Sequence, residues 1–211
     1  MRSQDDLSLS RKEGRALHAG RWSLEARAFE HRITAALIDI VPETPARHAE
    51  AIEALYDRTF GPGHFAKTAE RLREFSTSLP DLTRIAVVND SVVGVCRIWP
   101  LRVETGPSAV FVGPVAVDPN YRGQKLSIDV TRAALDASRS AGWGAAILIG
   151  ALSLFGEAGF VPAHSSRLVL PGPVDPTRLL IADLTAKAAA LSGRVNAPRV
   201  ARPIARSQAP E

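Results

Sequence analysis

The sequence predicts an α/β (α+β) protein built on one mixed, mostly antiparallel central sheet of six to seven strands, flanked by about four helices. Three observations carry this expectation. Residues Val110 to Val117 are almost all β-branched or aromatic, and after Asp118-Pro119-Asn120 they give way to a run with helical periodicity. Asn89-Asp90-Ser91 and Thr105-Gly106-Pro107 each separate apolar runs at hairpin spacing. The apolar runs around Ala145 and Phe160 are reached through helices, so parallel pairing enters a sheet that otherwise grows by hairpins.

Taken in order, residues 1–32 are polar and charged without sustained periodicity, and a poorly ordered extension is expected there, with Trp22, Leu24 and Phe29 leaving a short docking helix open. The folded domain is expected over 33–186. Ile33 to Val41 reads as the first strand, ended by Pro42. Thr44-Pro45 supplies an N-cap and a first-turn proline for a helix burying Ile52, Leu55, Tyr56 and Phe60, and Gly61-Pro62-Gly63-His64 breaks it. A second helix is expected from about Lys67 to Phe75, with Ala69, Leu72 and Phe75 inward. Ile85 to Val88 and Val92 to Trp99 form the first hairpin.

After the turn at residue 118, Leu126, Val130, Ala133, Ala134, Ala137 and Ala141 recur at spacings of three and four and define an apolar helix face. Asp129, Arg132, Asp136 and Arg139 alternate in sign on the other side. The helix is expected to begin near Gly123. Arg178 to Leu184 is a last strand, and a short helix follows from Thr185. Residues 187–211 are expected to be a basic, disordered tail.

A chain of 211 residues with 45% hydrophobic content buries one substantial core. The pI near 9.7 invites a nucleic-acid partner, but the excess charge lies outside the domain. Residues 33–186 hold fourteen Lys and Arg against sixteen Asp and Glu, which argues against a nucleic-acid surface on the fold. Cys96, the only cysteine, sits in an apolar strand pattern as a buried thiol. Five scattered histidines make no metal-ligand spacing. With no long apolar run and no apolar leader segment, no membrane association and a cytoplasmic protein are expected.

The chemistry concentrates on the stretch from Val110 to Ser127. Gly113-Pro114 interrupts the strand, because proline donates nothing to a ladder, and the resulting bulge frees amides around Val115, Ala116 and Val117 to face a ligand. A helix entered through Arg122-Gly123-Gln124 presents orphan N–H groups and a positive dipole end, a combination that favours phosphate.

The order of these parts resembles the GNAT superfamily of acyl-CoA-dependent N-acyltransferases, whose signature is a strand followed by Arg/Gln-x-x-Gly-x-Gly/Ala opening a helix. Here the stretch reads Val-Asp-Pro-Asn-Tyr-Arg-Gly-Gln-Lys-Leu-Ser, with Lys125 and Ser127 where the family usually has glycine or alanine. Gly142-Trp143-Gly144 leads into a run similar to the family's next parallel strand, and Ser153 to Pro162 resembles the short helix and Gly-Phe strand entry after it. The likeness covers roughly residues 33–186 and is strongest to a bacterial branch of predicted N-acetyltransferases.

The resemblance implies transfer of an acyl group, an acetyl group first, from a CoA thioester to a primary amine by direct attack. Arg122, Gly123, Gln124, Lys125, Leu126 and Ser127 would hold the pyrophosphate, with Val115, Ala116 and Val117 at the thioester and Phe155 against the pantetheine arm. Tyr56, Phe60, His64 and Phe65 would line the acceptor pocket. Phe155 stands where many members carry a tyrosine acid, and it has no proton to give; Ser153 nearby is a poor acid. Glu104, Asp118, His64 and Glu53 remain open as bases. The acceptor is a small-molecule amine or a protein amine, and a homodimer is compatible with the sequence. The alternative is an acyl-CoA-binding sensor of the same fold without turnover.

Overall fold

The computed structural model describes residues 38–61, 68–163, 167–186 and 188–198. The chain divides between Asp39 and Ile40, and the unit Ile40–Glu211 holds the described helices and, from Ile40 onward, the sheet. The sheet begins with β1 (Asp39–Pro42, of which Ile40–Pro42 belongs to this unit) and β2 (Arg84–Val88). β3 (Ser91–Thr105) and β4 (Ala109–Val117) follow by hairpins, and β5 (Ala145–Ile149) lies parallel to β4. Then come β6 (Val161–Pro162), β7 (Leu168–Val169), β8 (Leu179–Asp183) and β9 (Ser192–Asn196). The main spatial order is β1-β2-β3-β4-β5-β8-β6, with β9 pairing β3 and β7. The seven strands of that path are the expected mixed, mostly antiparallel sheet.

Local chemistry accounts for the joints. Asn89 and Asp90 carry φ of 46° and 63°, as the two central residues of a hairpin turn matched to strand twist require. Along β3 the side chains alternate between faces. Val95 joins Ala116 under α1 (Pro45–Phe60), whereas a Cβ at Gly94 would sit 3.2 Å from Ala86 and 3.4 Å from Leu126 of α3 (Leu126–Ser140). Helices therefore cover both faces. Two short helices, α2 (Thr68–Arg71) and α4 (Leu152–Phe155), complete the described set.

Several expectations need correction. The tail is not disordered from residue 187: β9 pairs Arg102 with Asn196 and Val103 with Val195, and Val195 is fully buried among Leu101, Leu168 and Leu191. A basic tail composition did not reveal one apolar residue placed at the right register. Phe60 is 42% and Phe75 78% exposed, so neither is an inward residue; Phe75 lies beyond α2 at φ 58°. The buried face of α3 is carried by Leu126, Ile128, Val130, Thr131, Ala134, Leu135 and Ser138, with Ala141 exposed. Cys96 is fully buried, and burial pushes its thiol up to about 12. No helix among the described residues is long and apolar enough to cross a membrane.

Candidate active site

The two inner strands part company in the middle of the sheet. β4 and β5 pair only through Ala109↔Ala145, Val110↔Ala146 and Phe111↔Ile147. Beyond Phe111, β4 continues against β3, while β5 stays paired with β8 through Ile149. The register between β3 and β4 slips at this point, from Ile98↔Val112 to Cys96↔Val115, so Gly113-Pro114 forms the bulge that the sequence predicts. Gly113 holds φ 127°, a conformation suited to glycine.

Hydrogen-bond direction alternates along an antiparallel strand. The Asp118 amide donates to the Val93 carbonyl at 2.8 Å, which turns Asp118 and Ala116 toward β3. Val115 and Val117 therefore direct their N–H groups into the opening left by β5. Ala116 does not share that role: its amide belongs to the ladder and its side chain is 1% exposed, so two of the three expected amides face the opening.

The end of the opening carries the turn and the helix start. Asp118 caps a 3-10 turn (Pro119–Tyr121) by accepting from the Asn120 amide at 3.0 Å, and pairs with Arg58 at 3.5 Å. Its carboxylate is thus spent on the turn. Residues 122–125 form a loop in which Gly123 (φ 80°) and Lys125 (φ 58°) are left-handed, and α3 starts at Leu126, not near Gly123. Lys125 therefore does not lie on a right-handed first turn, and the family's glycine at that position matches a real backbone demand. Lysine there carries a strain of about 1 kcal/mol or more. Leu126 and Ser127 have no carbonyl one turn earlier to receive their amides, so the first turn keeps the open N–H donors of a helix start. A Cβ on Gly123 would meet nothing within 4 Å, which leaves that face of the loop open.

Lys125 binds Glu157 at 2.7 Å and holds its carboxyl below the usual carboxylate range; Arg132 donates to the Glu157 carbonyl. These contacts tie the 122–125 loop to the short turn after α4. Phe155, at 8% exposure, packs edge-on to Phe160 with centroids 6.3 Å apart, and its ring would be 2.8 Å from a Cβ on Gly150. It is a core residue as well as a wall at the end of β5. Ser153 sits exposed on α4.

Tyr56 is 2% exposed and stacks near Phe60 at 6.0 Å; its hydroxyl donates to the Pro114 carbonyl at 3.4 Å. Burial, the largest influence, raises its phenol above the ordinary value and keeps it protonated. The Arg97 guanidinium lies 5.5 Å from the Tyr56 ring and bridges Glu43 at 3.0 Å and Glu53 at 2.6 Å. Sequence reasoning named Tyr56 and Glu53, the latter as a base and here an ion-pair partner, but missed Arg97 and Glu43, although Arg97 inside Val-Val-Gly-Val-Cys-Arg-Ile-Trp was a visible signal: a charge on an inward strand position demands partners. Glu104 is elsewhere, accepting from the Arg194 amide at 3.0 Å beside β9. His64 and Phe65 lie outside the described residues. A separate apolar cleft of about 420 Å³ at the β6–β8 edge is lined by Val161, Leu168, Ile181 and Leu191, and none of its residues belongs to the opening.

A sheet parted at a bulge, with a left-handed loop and a helix start at its mouth, is the arrangement that the resemblance to acyl-CoA-dependent acyltransferases implies. Residues 49–160 match the model of the acetyltransferase (GNAT) family, and the chain belongs to that family. It is 34% identical over 131 residues to the uncharacterized N-acetyltransferase YhbS of Escherichia coli K12, an alignment spanning 59% of this chain and 75% of that one. The crystal structure of Escherichia coli YhbS in complex with CoA superposes with a TM-score of 0.62 at 29% identity, covering 75% of this chain and 88% of that chain. The NatC complex bound to Gag peptide and CoA shares the fold at 20% identity, with a TM-score of 0.52 over 70% of this chain and 99% of that chain.

Proposed function

We propose that this protein is an acyl-CoA-dependent N-acyltransferase, acetyl-CoA being the first donor to test, which moves the acyl group to a primary amine by direct attack. The observation that carries the reading is the parting of β4 from β5 with the Val115 and Val117 amides turned into the gap. A thioester carbonyl seated there would accept from those donors, and their effect grows as negative charge develops on its oxygen. Arg122 and the amides from Gly123 to Ser127 would receive the pyrophosphate at the mouth. Phe155 would shield the pantetheine arm. The neutral amine nitrogen adds to the carbonyl carbon, the oxyanion so formed collapses with cleavage of the carbon–sulfur bond, the thiolate leaves, and the proton lost from nitrogen passes to solvent. Tyr56 and Phe60 would wall the acceptor side, for a small-molecule amine or a protein amine.

A second reading, acyl-CoA binding without turnover, is favoured by Phe155, which cannot protonate the departing thiolate. The two are separated by one sequence of measurements. Thermal shifts with acetyl-CoA, CoA, longer acyl-CoAs and ATP test the donor site first, since a ligand at 100 times its dissociation constant adds about 2.7 kcal/mol to the folded state. Release of free thiol in an amine screen then supports transfer. Stabilisation by acyl-CoA with no thiol release across the screen would favour the binding module, and no stabilisation by any CoA species would remove both.

A further inference from the structure

We infer that Tyr56 is a positioning residue for the transfer step, acting through the Pro114–Val115 peptide to aim and polarise the Val115 amide. The inference rests on the acyltransferase reading and concerns a residue otherwise assigned only to the wall of the acceptor pocket. Its basis is the geometry of the bulge. Arg97 of β3 stands opposite Gly113-Pro114, where the ladder skips, since Cys96 pairs Val115 and Ile98 pairs Val112. The Pro114 carbonyl thus falls in the gap of the ladder, and the Tyr56 hydroxyl is the donor that reaches it.

In a trans peptide the carbonyl and the following N–H point to opposite sides of one rigid plane. A donor on the Pro114 oxygen therefore orients the plane whose other end is the Val115 N–H, directed into the opening. It also draws electron density toward that oxygen, which makes the amide a better donor to an oxyanion. The separation of 3.4 Å is long for a hydroxyl donor, as catalytic hydrogen bonds often are before substrate arrives, and it is expected to shorten when a thioester loads the amide.

Tyr56 is itself held in place. Its ring is covered by the Arg97 guanidinium, and Arg97 is anchored by Glu43, which is 6% exposed, and by Glu53. Burial keeps the phenol protonated, so it serves as a donor across the working pH range. The same shift makes it a poor proton source, which is why the role assigned is positioning and not acid catalysis.

The test compares the full-length protein with Tyr56→Phe, which keeps the ring contacts with Phe60 and Arg97 and removes only the hydroxyl. The probe is acetyl-CoA labelled with carbon-13 at the thioester carbonyl, read by infrared difference spectroscopy, alongside the Pro114 carbonyl carbon resonance of each protein. The expected result is a lowered thioester stretch in the wild-type complex and a smaller lowering in Tyr56→Phe. Its Pro114 resonance moves upfield and its acetyl-CoA affinity is retained. With an accepted amine, kcat falls about tenfold while KM for acetyl-CoA changes little, because the interaction strengthens most as the oxyanion forms. Equal thioester stretches and an unmoved Pro114 resonance in the two proteins would overturn the role of Tyr56 and leave the acyltransferase reading standing. Failure of both proteins to bind acetyl-CoA would overturn that reading and this inference with it.

Discussion

The two halves of β4 are made of the same kinds of residue and do different work. Ala109 to Phe111 are laddered on both sides, to β3 and β5, and are at most 2% exposed. Val115 to Val117 are laddered on one side only, with Val115 and Val117 half-buried. Between them lies Gly113-Pro114. A glycine at φ 127° and a proline without an N–H break the ladder and convert a core strand into the edge of an opening, with the Val115 and Val117 amides turned toward it.

The largest effect expected from breaking this contrast is at the prop beneath the open half. Arg97→Met removes the partner of Glu43, whose side chain is 3% exposed, and strands a buried carboxylate. Destabilisation of about 3–5 kcal/mol is expected by urea unfolding. A cost below about 1 kcal/mol would show that Glu43 finds another partner.

One substitution made in both halves sharpens the comparison. Val110→Ala, at a fully buried position, is expected to cost about 2 kcal/mol and to leave acetyl-CoA affinity unchanged. Val117→Ala at a half-buried position is expected to cost less than about 1 kcal/mol. Equal costs would mean that the open half is packed as tightly as the closed one.

At the mouth of the opening, Lys125→Gly relieves a left-handed lysine and loses an exposed ion pair with Glu157. A net gain of about 0.5–1 kcal/mol in thermal unfolding is expected. A loss would place the Lys125–Glu157 tether above the backbone strain in importance.

The smallest effect concerns the far face of β3. Cys96 is protonated in the fold, its thiol raised by burial from 9.0 to about 12. Above pH 9 the unfolded chain releases this proton more readily than the native one, so stability falls as pH rises through that window, more steeply in the wild type than in Cys96→Ala. Labelling by a thiol reagent at pH 8 should be negligible until denaturant is added. Rapid labelling of the native protein would contradict the burial.

Much of this fold was legible because its signals are local. Asn89-Asp90 announced a hairpin turn, Gly113-Pro114 a broken ladder, and Arg122-Gly123 a helix entrance, each through the conformational limits of a few neighbouring residues. What escaped depends on distance along the chain. Arg97 meets Glu43 across 54 positions, and Glu104 receives the Arg194 amide across 90. No periodicity reports such pairs. Lys125 misled for a different reason: a lysine does not advertise positive φ, so the helix was expected two or three residues too early. Phe60 and Phe75 were expected inside on hydrophobicity, which does not by itself decide burial for the last residue of a helix or for one past its end.

The opening between β4 and β5 is probed most directly by following the backbone amides of the nitrogen-15-labelled protein during titration with acetyl-CoA. Val115, Val117 and residues 123–127 are expected to shift most, with Ala109 to Phe111 and the β6–β8 cleft residues Leu168 and Ile181 little changed. Shifts concentrated at that cleft, with the bulge and the 123–127 amides silent, would contradict a donor site at the parted strands.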